Sequence, residues 1–200
     1  MTPLLRRFRS CWKLKLLLTL VLTILFCVPY LYLARHAFFP VRQVPAIWID
    51  RAAGFEPRWV WVYQSVYLLT GCLPWLADSR AQLMQYLRGF AMLSLTCFAI
   101  FLFFPTKIAR PEVAEPSGMY ALLMLYDGPY NALPSLHAGF LYFTLAFVQR
   151  IYSRLPSGMS IVLLTWSLLI LWSTLATKQH YALDLLAGIA LAAICDAAAW

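Results

Sequence analysis

Apolar runs long enough to cross a membrane are the feature that most constrains the fold of this chain. Five runs cover 16–34, 59–77, 89–104, 159–177 and 181–200, and a sixth, at 136–148, reaches 134–152 with its flanking residues. A transmembrane helix needs about 20 such residues. The sequence therefore predicts an all-α integral membrane protein: one membrane domain over residues 1–200, built as a bundle of six transmembrane helices.

The composition excludes several other classes of protein. Apolar residues make up 62% of the 200 residues and charged residues only 12%, against about 25% charged in soluble domains. The five cysteines occur singly in or beside the apolar runs, which favours neither a disulfide framework nor a zinc site. A net charge of +8 would suggest nucleic acid for a soluble protein, but here it indicates loops beside anionic lipid, and we expect no nucleic-acid partner.

The distribution of charge predicts the orientation in the membrane. With the N-terminus in the cytoplasm, the inner loops hold nine of the 16 basic residues but only two of the eight acidic ones. Because basic residues collect on the cytoplasmic side, we expect both termini there. The loop 105–133 and the turn 178–180 then face the periplasmic, extracellular or lumenal side. Within that loop, 119–126 is too short to span and is expected at the interface.

Two polar residues stand at the start of the last apolar run. His180 and Asp184 are four residues apart, so on a helix they share one face. A carboxylate within a membrane span is costly and usually functional. If it accepts one imidazole N–H, the other ring nitrogen is free to attack an electrophile. A purely structural cap at a helix start would explain the pair equally well.

The segment 131–139 reads Asn-Ala-Leu-Pro-Ser-Leu-His-Ala-Gly. Pro134 favours a helix start, which places Ser135 and His137 on the first turn, beside backbone N–H groups that can bind an anion. His137 could donate a proton to the group that leaves the anion. The alternative is a capped helix with a histidine at the membrane interface.

Three cations lie near these segments on the predicted outer face. Lys107 and Arg110 follow the third apolar run, and Lys178 comes two residues before His180. An arginine can direct two N–H donors at one phosphate, although contact with lipid headgroups would also explain the cations. Asp127, which precedes a Gly-Pro turn, is a candidate to position Arg110.

Taken together, these residues suit phosphoryl transfer without a metal. Two histidines, one buried acid and two or three cations meet on one predicted membrane face, and the sequence shows no carboxylate cluster of the kind that binds Mg²⁺ or Zn²⁺. We therefore expect neither a metal nor a cofactor.

In order and spacing, the three segments resemble the motifs of the type 2 phosphatidic acid phosphatase superfamily, which are Lys…Arg-Pro, Pro-Ser-Gly-His and Ser-Arg-x5-His-x3-Asp. The matching residues are Arg110-Pro111, Pro134-Ser135-Leu136-His137 and Ser173-Thr174-x5-His180-x3-Asp184.

The chain departs from these motifs at three points. Leu136 stands for glycine, Thr174 stands for arginine, and Lys107 lies three rather than seven residues before Arg110. Such variants are similar to those of the inositol phosphorylceramide synthases and sphingolipid synthases, a branch of the superfamily. That similarity implies headgroup transfer between lipids as well as hydrolysis.

The resemblance also implies a six-helix bundle and a set of roles. His180 would attack phosphorus to form a phosphohistidine, Asp184 would hold its other N–H, and His137 would protonate the leaving alcohol. Substrate binding would fall to Arg110 and Ser135, assisted by Lys107 or Lys178. The substrate would be a membrane lipid with a phosphoester or diphosphate headgroup, and the acceptor would be water or a lipid alcohol.

Two other classes of protein remain compatible with the sequence. One is a small transporter with Asp184 as an ion or proton site, although the two halves show no internal repeat of the kind many transporters have. The other is a non-catalytic lipid-binding protein that has kept the fold.

Overall fold

The computed structural model describes residues 3–113, 116, 118–152 and 155–200. Glu115 and Arg154, which enter the charge distribution above, lie outside the described residues. The helices are α1 (Pro3–Arg9), α2 (Trp12–Arg35), α3 (Trp48–Ala52), α4 (Val60–Gln64), α5 (Val66–Cys72), α6 (Arg80–Phe103), α7 (Gly118–Tyr126), α8 (Leu136–Ile151), α9 (Ser157–Ala176) and α10 (Ala182–Ala199). Two short strands, β1 (Arg42–Gln43) and β2 (Thr106–Lys107), complete the described elements.

Four of these helices are long and apolar enough to cross a membrane, namely α2, α6, α9 and α10. They coincide with four of the predicted spans, so the predicted all-α membrane class is confirmed. Helix α6 begins nine residues before the predicted span at 89, because Ser79 caps it by accepting the N–H of Gln82 at 3.2 Å.

The other two predicted spans are shorter or interrupted. The run at 59–77 is divided between α4, α5 and two 3₁₀ turns, Pro57–Trp59 and Leu73–Leu76. Each turn contains a proline, which lacks the N–H of a regular helix. Helix α8 has 16 residues and begins at Leu136 rather than at Pro134, because Ser135 is its N-cap. The count of six spans therefore remains a prediction.

Helix α8 lies at the centre of the bundle, between α5, α6, α9 and α10. Its Phe143 and Phe147 are completely buried and pack in one cluster with Leu93 of α6 and Ala192 of α10. In contrast, α2 exposes nine large apolar side chains. Such a surface requires a hydrocarbon environment, as a membrane provides.

Glycines allow α8 and α10 to approach closely. A Cβ added to Gly188 would lie 2.1 Å from the carbonyl oxygen of Ser135, and one added to Gly139 would lie 3.2 Å from the carbonyl oxygen of Gly188. The backbone N–H of Ser135 donates to the carbonyl of Asp184 at 2.9 Å. The start of α8 is therefore fastened to the first turn of α10.

A small parallel sheet positions the loop that precedes α8. Strands β1 and β2 pair with Arg42 opposite Thr106, and Thr106 forms a further parallel bridge with Asn131. The N–H of Ala132 donates to the carbonyl of Thr106 at 3.2 Å, and the N–H of Leu133 donates to the Thr106 hydroxyl at 2.8 Å. These bonds hold the backbone of Ala132 beside the start of α10.

The opposite end of the bundle is closed by α1 and Lys15. Arg7 donates to the carbonyls of Leu76 and Ile151 and forms an ion pair with Asp78 at 3.2 Å. The Lys15 ammonium donates to the carbonyls of Arg7 and Trp75, each at 2.7 Å. Lys15 is thereby buried although it is charged.

Candidate active site

The two predicted catalytic histidines are in direct contact. Nδ1 of His137, on the first turn of α8, lies 3.2 Å from Nε2 of His180, which stands two residues before the start of α10. Both side chains are buried. The fastening of α8 to α10 thus brings together two residues that are 43 positions apart in the chain.

A backbone carbonyl assigns the tautomer of His180. Nδ1 of His180 lies 3.0 Å from the carbonyl oxygen of Ala132. Because a carbonyl oxygen only accepts, Nδ1 carries the proton, and the hydrogen-bond network places the lone pair on Nε2. The nitrogen that faces His137 is therefore the one without a proton.

Asp184 lies beside His180 but is arranged differently from the prediction. Its Oδ2 is 3.7 Å from Nδ1 of His180, which is an ion-pair distance rather than a hydrogen bond. The same oxygen accepts the N–H of Tyr181 at 2.8 Å and so caps α10. Oδ1 is buried and makes no hydrogen bond to any described residue. The Ala132 carbonyl thus occupies the position expected for Asp184, while the carboxylate adds negative charge.

Two tyrosines from the interrupted helical segment contact the other side of His137. The Tyr63 hydroxyl lies 2.9 Å from Nε2 of His137, and the Tyr67 hydroxyl lies 3.4 Å from the same atom. In the neutral pair His137 donates from Nδ1 to His180, so its Nε2 accepts from Tyr63. A continuous hydrogen-bonded chain therefore runs from Tyr63 through both histidines to the Ala132 carbonyl.

Ser135 lies at the start of α8 as predicted, but its hydroxyl is engaged as the cap. Its Oγ accepts the N–H of Ala138 at 3.4 Å, and the residue is completely buried. A role in binding phosphate stays a prediction.

Arg110 is held in place by the turn that follows α7. Its guanidinium forms an ion pair with Asp127 at 2.9 Å and also donates to the carbonyls of Asp127 and Gly128, each at 3.2 Å. Tyr30 of α2 donates to the other carboxylate oxygen of Asp127 at 3.3 Å. A guanidinium has five N–H donors, so two remain beyond these three bonds. These two are the Nε–H and one Nη1–H, which lie on different edges of the guanidinium. Bidentate binding of one phosphate needs two adjacent donors, so the role of Arg110 as a phosphate ligand stays a prediction.

Within the described part of the chain, neither of the two lysines forms a hydrogen bond with His137 or His180. Lys107 lies on β2 with an exposed side chain. The Lys178 ammonium donates to the backbone carbonyl of Asp50 in α3. Burial lowers the pKa of Lys178 from its usual value, and the charge of Asp50 partly opposes that shift. The structure thus directs Lys178 towards α3, and its role as a phosphate ligand stays a prediction.

Sequence reasoning did not single out Asp50, Tyr63, Tyr67 or the carbonyl of Ala132. Asp50 is buried and accepts the N–H of Ala182, the first residue of α10, at 2.8 Å. Nothing in the sequence separates Tyr63 and Tyr67 from the chain's nine other tyrosines. Every residue has a backbone carbonyl, so the sequence cannot mark out the one at Ala132. Each contact depends on long-range packing.

The fold and the site define a helical membrane protein with a paired-histidine centre. The chain belongs to the type 2 phosphatidic acid phosphatase superfamily, called PAP2. The model of this family matches residues 30–198, a range that includes every residue of the site. Membership in this superfamily indicates phosphatase-type activity. Searches of curated proteins and of solved structures gave no match.

Proposed function

We propose that this protein is a membrane lipid phosphatase or phosphotransferase that works through a phosphohistidine on His180. The observation that carries the proposal is the hydrogen-bonded chain from Tyr63 through His137 and His180 to Ala132. This hydrogen-bonded chain leaves the lone pair of His180 on Nε2 and places the imidazole of His137 next to that atom. A nucleophile and an acid-base group within hydrogen-bonding distance are what covalent phosphoryl transfer requires.

In the first step, Nε2 of His180 bonds to phosphorus, and the bond from phosphorus to the lipid alcohol oxygen breaks. His137, in its protonated form, transfers its proton to that oxygen. The imidazole of His180 becomes cationic as the new bond forms, and the Asp184 carboxylate 3.7 Å away stabilises this charge. Arg110 provides positive charge for the phosphate oxygens.

In the second step, water or an acceptor alcohol attacks phosphorus and the bond to His180 breaks. His137 takes the proton of the attacking oxygen, which restores both histidines. An in-line reaction places the attacking and leaving atoms on opposite sides of phosphorus. The contact of 3.2 Å leaves no room for phosphorus between the rings, so the His137 ring must move away from His180 when the substrate binds.

The motif variants at Leu136 and Thr174 support transfer to a lipid alcohol, as in the inositol phosphorylceramide synthase branch. We place the site on the outer membrane face, with both termini in the cytoplasm, on the basis of the loop charges. A sphingolipid or glycerophospholipid headgroup is the substrate class that this branch favours.

The test is a panel of lipid phosphates, supplied to purified protein with and without acceptor lipids and analysed by mass spectrometry. Release of phosphate without an acceptor would show hydrolysis, and a new phospholipid formed only with an acceptor would show transfer. Absence of both products across the panel would refute the proposed function and favour a non-catalytic lipid-binding protein.

A further inference from the structure

An apolar cavity of about 480 Å³ opens beside His137. It is bounded by α2, α5, α6 and α8 and continues to Lys15 at the opposite end of the bundle. Its volume is in the usual range of sites for small molecules, about 300–1,000 Å³. The cavity is therefore large enough for a ligand, and it is continuous with the candidate active site.

The chemistry of the lining changes along the cavity. Tyr30, Tyr67 and Tyr126 supply hydroxyl groups near the His137 end, and side chains such as Leu22 and Phe26 line the middle. A phosphate would lose its hydration in that middle section without gaining a charged partner, which is costly. A hydrocarbon chain has no such hydration to lose and would be stable in that section.

Lys15 and Trp75 form the floor of the cavity. Lys15 is fixed by its bonds to the carbonyls of Arg7 and Trp75, so the floor is tied to the docking of α1. Tyr30 lies 15 residues further along α2 than Lys15, which corresponds to about 22 Å of helix. Half of a bilayer core is about 15 Å thick, so the cavity can hold a chain that spans one leaflet.

The position of the two histidines selects which part of a substrate enters. His137 lines the cavity, whereas His180 does not. In the proposed reaction His137 protonates the leaving oxygen, so the leaving group must lie on the side of His137. An acceptor alcohol attacks from the same side once the leaving alcohol has departed, so the cavity receives the lipid alcohol rather than the headgroup that is transferred.

We propose that this cavity binds one hydrocarbon chain of the leaving lipid alcohol and that its floor limits the length of that chain. The proposal rests on the proposed function. Because a chain in a membrane or micelle is already in an apolar environment, the cavity selects by excluding chains that are too long rather than by attracting long ones.

Gly71 offers a direct way to shorten the cavity. It lines the cavity about one helical turn beyond Tyr67, and a Cβ added there would meet no atom within 4 Å. Gly71→Phe therefore adds a large side chain without an immediate clash. Thr23→Trp, on the facing helix α2 and also in the lining, narrows the cavity from the other side.

The experiment compares butyl, octyl and hexadecyl phosphate in detergent micelles, with released phosphate as the readout. The ratio of kcat/KM for hexadecyl over butyl phosphate is measured on each protein, because a ratio cancels differences in the folded fraction. We expect Gly71→Phe to lower this ratio about tenfold, since the added ring blocks a long chain and leaves room for a butyl chain above it. Thr23→Trp should lower it in the same direction.

Gly158→Phe is the matched control. Gly158 also has no atom within 4 Å of an added Cβ, but it lies at the start of α9 and does not line the cavity. Its ratio should equal that of the unmodified protein. Equal ratios for all four proteins would overturn the cavity proposal and leave the proposed function intact. If the unmodified protein released no phosphate from any of the three esters, the proposed function would fail and this proposal with it.

Discussion

The carboxylate of Asp50 in α3 accepts the backbone N–H of Ala182 at 2.8 Å. Its other oxygen accepts the N–H of Ile47 at 2.8 Å, so one buried side chain joins the loop before α3 to the start of α10. Because His180 lies two residues before Ala182, this bond sets where the proposed nucleophile stands. We therefore expect Asp50 to act as a positioning residue for the site.

Asp50→Ala should lower both stability and activity. It removes the acceptor of two partly buried N–H groups, at about 0.5–1.5 kcal/mol for each bond. The Tm in detergent and kcat should both fall, whereas Asp50→Asn, which keeps one acceptor oxygen, should restore part of each. Glu56→Ala is the control, because Glu56 is an exposed acid that caps only its own turn. Equal effects of Asp50→Ala and Glu56→Ala would contradict the positioning role.

The two histidines should respond differently to the leaving group. His180→Ala removes the nucleophile and should abolish turnover on every ester. His137→Ala should retain more activity on p-nitrophenyl phosphate, whose leaving group needs little protonation, than on a lipid phosphate. The measurement is kcat/KM for both esters with both variants.

Asp184→Asn refines this comparison. The amide oxygen can still accept the N–H of Tyr181, so the cap of α10 is retained while the charge beside His180 is lost. Activity should lie between those of the two histidine variants, and phosphohistidine should accumulate in the His137→Ala protein. Identical losses for His137→Ala and His180→Ala on both esters would leave the assignment of roles without support.

Chelation should leave the activity intact. The proposed phosphate ligands are Arg110 and neighbouring donors of the protein, so no step needs a divalent cation. Phosphate release is measured before and after dialysis against EDTA. Complete loss of activity that Mg²⁺ restores would refute the proposed site.

Gly188→Ala should disrupt the junction between α8 and α10. The added Cβ would lie 2.1 Å from the carbonyl oxygen of Ser135, and this oxygen belongs to the backbone and cannot rotate away. We expect a loss of about 3 kcal/mol, the upper part of the range for overpacking, seen as a lower Tm together with lost activity. Gly158→Ala, where an added Cβ meets open space, should leave both unchanged. A Gly188→Ala protein with an unaltered Tm would contradict the close approach.

The orientation can be tested with single cysteines. In a background with Cys11, Cys27 and Cys72 replaced by alanine, Glu112→Cys should react with an impermeant thiol reagent added to intact cells, whereas Ser157→Cys should react only after lysis. Both positions are exposed, and the charge distribution places their loops on opposite faces. The reverse pattern would place the site on the cytoplasmic face.

The sequence by itself determined the helical membrane class, because apolar runs at 16–34, 159–177 and 181–200 allow few other solutions. It also indicated His137, His180 and Asp184, since ionisable residues in or beside a membrane span are costly and usually functional. The sequence named Asp127 as a candidate to position Arg110, and in the structure the two form an ion pair at 2.9 Å.

Only the tertiary structure decided which atoms meet. The carbonyl of Ala132, rather than Asp184, accepts the His180 N–H because β2 holds that loop against α10. Tyr63 contacts His137 across 74 residues of chain, and Asp50 caps a helix that is 132 residues away. A single sequence carries local periodicity and turn chemistry, whereas these contacts arise from the packing of distant segments, which local patterns do not encode.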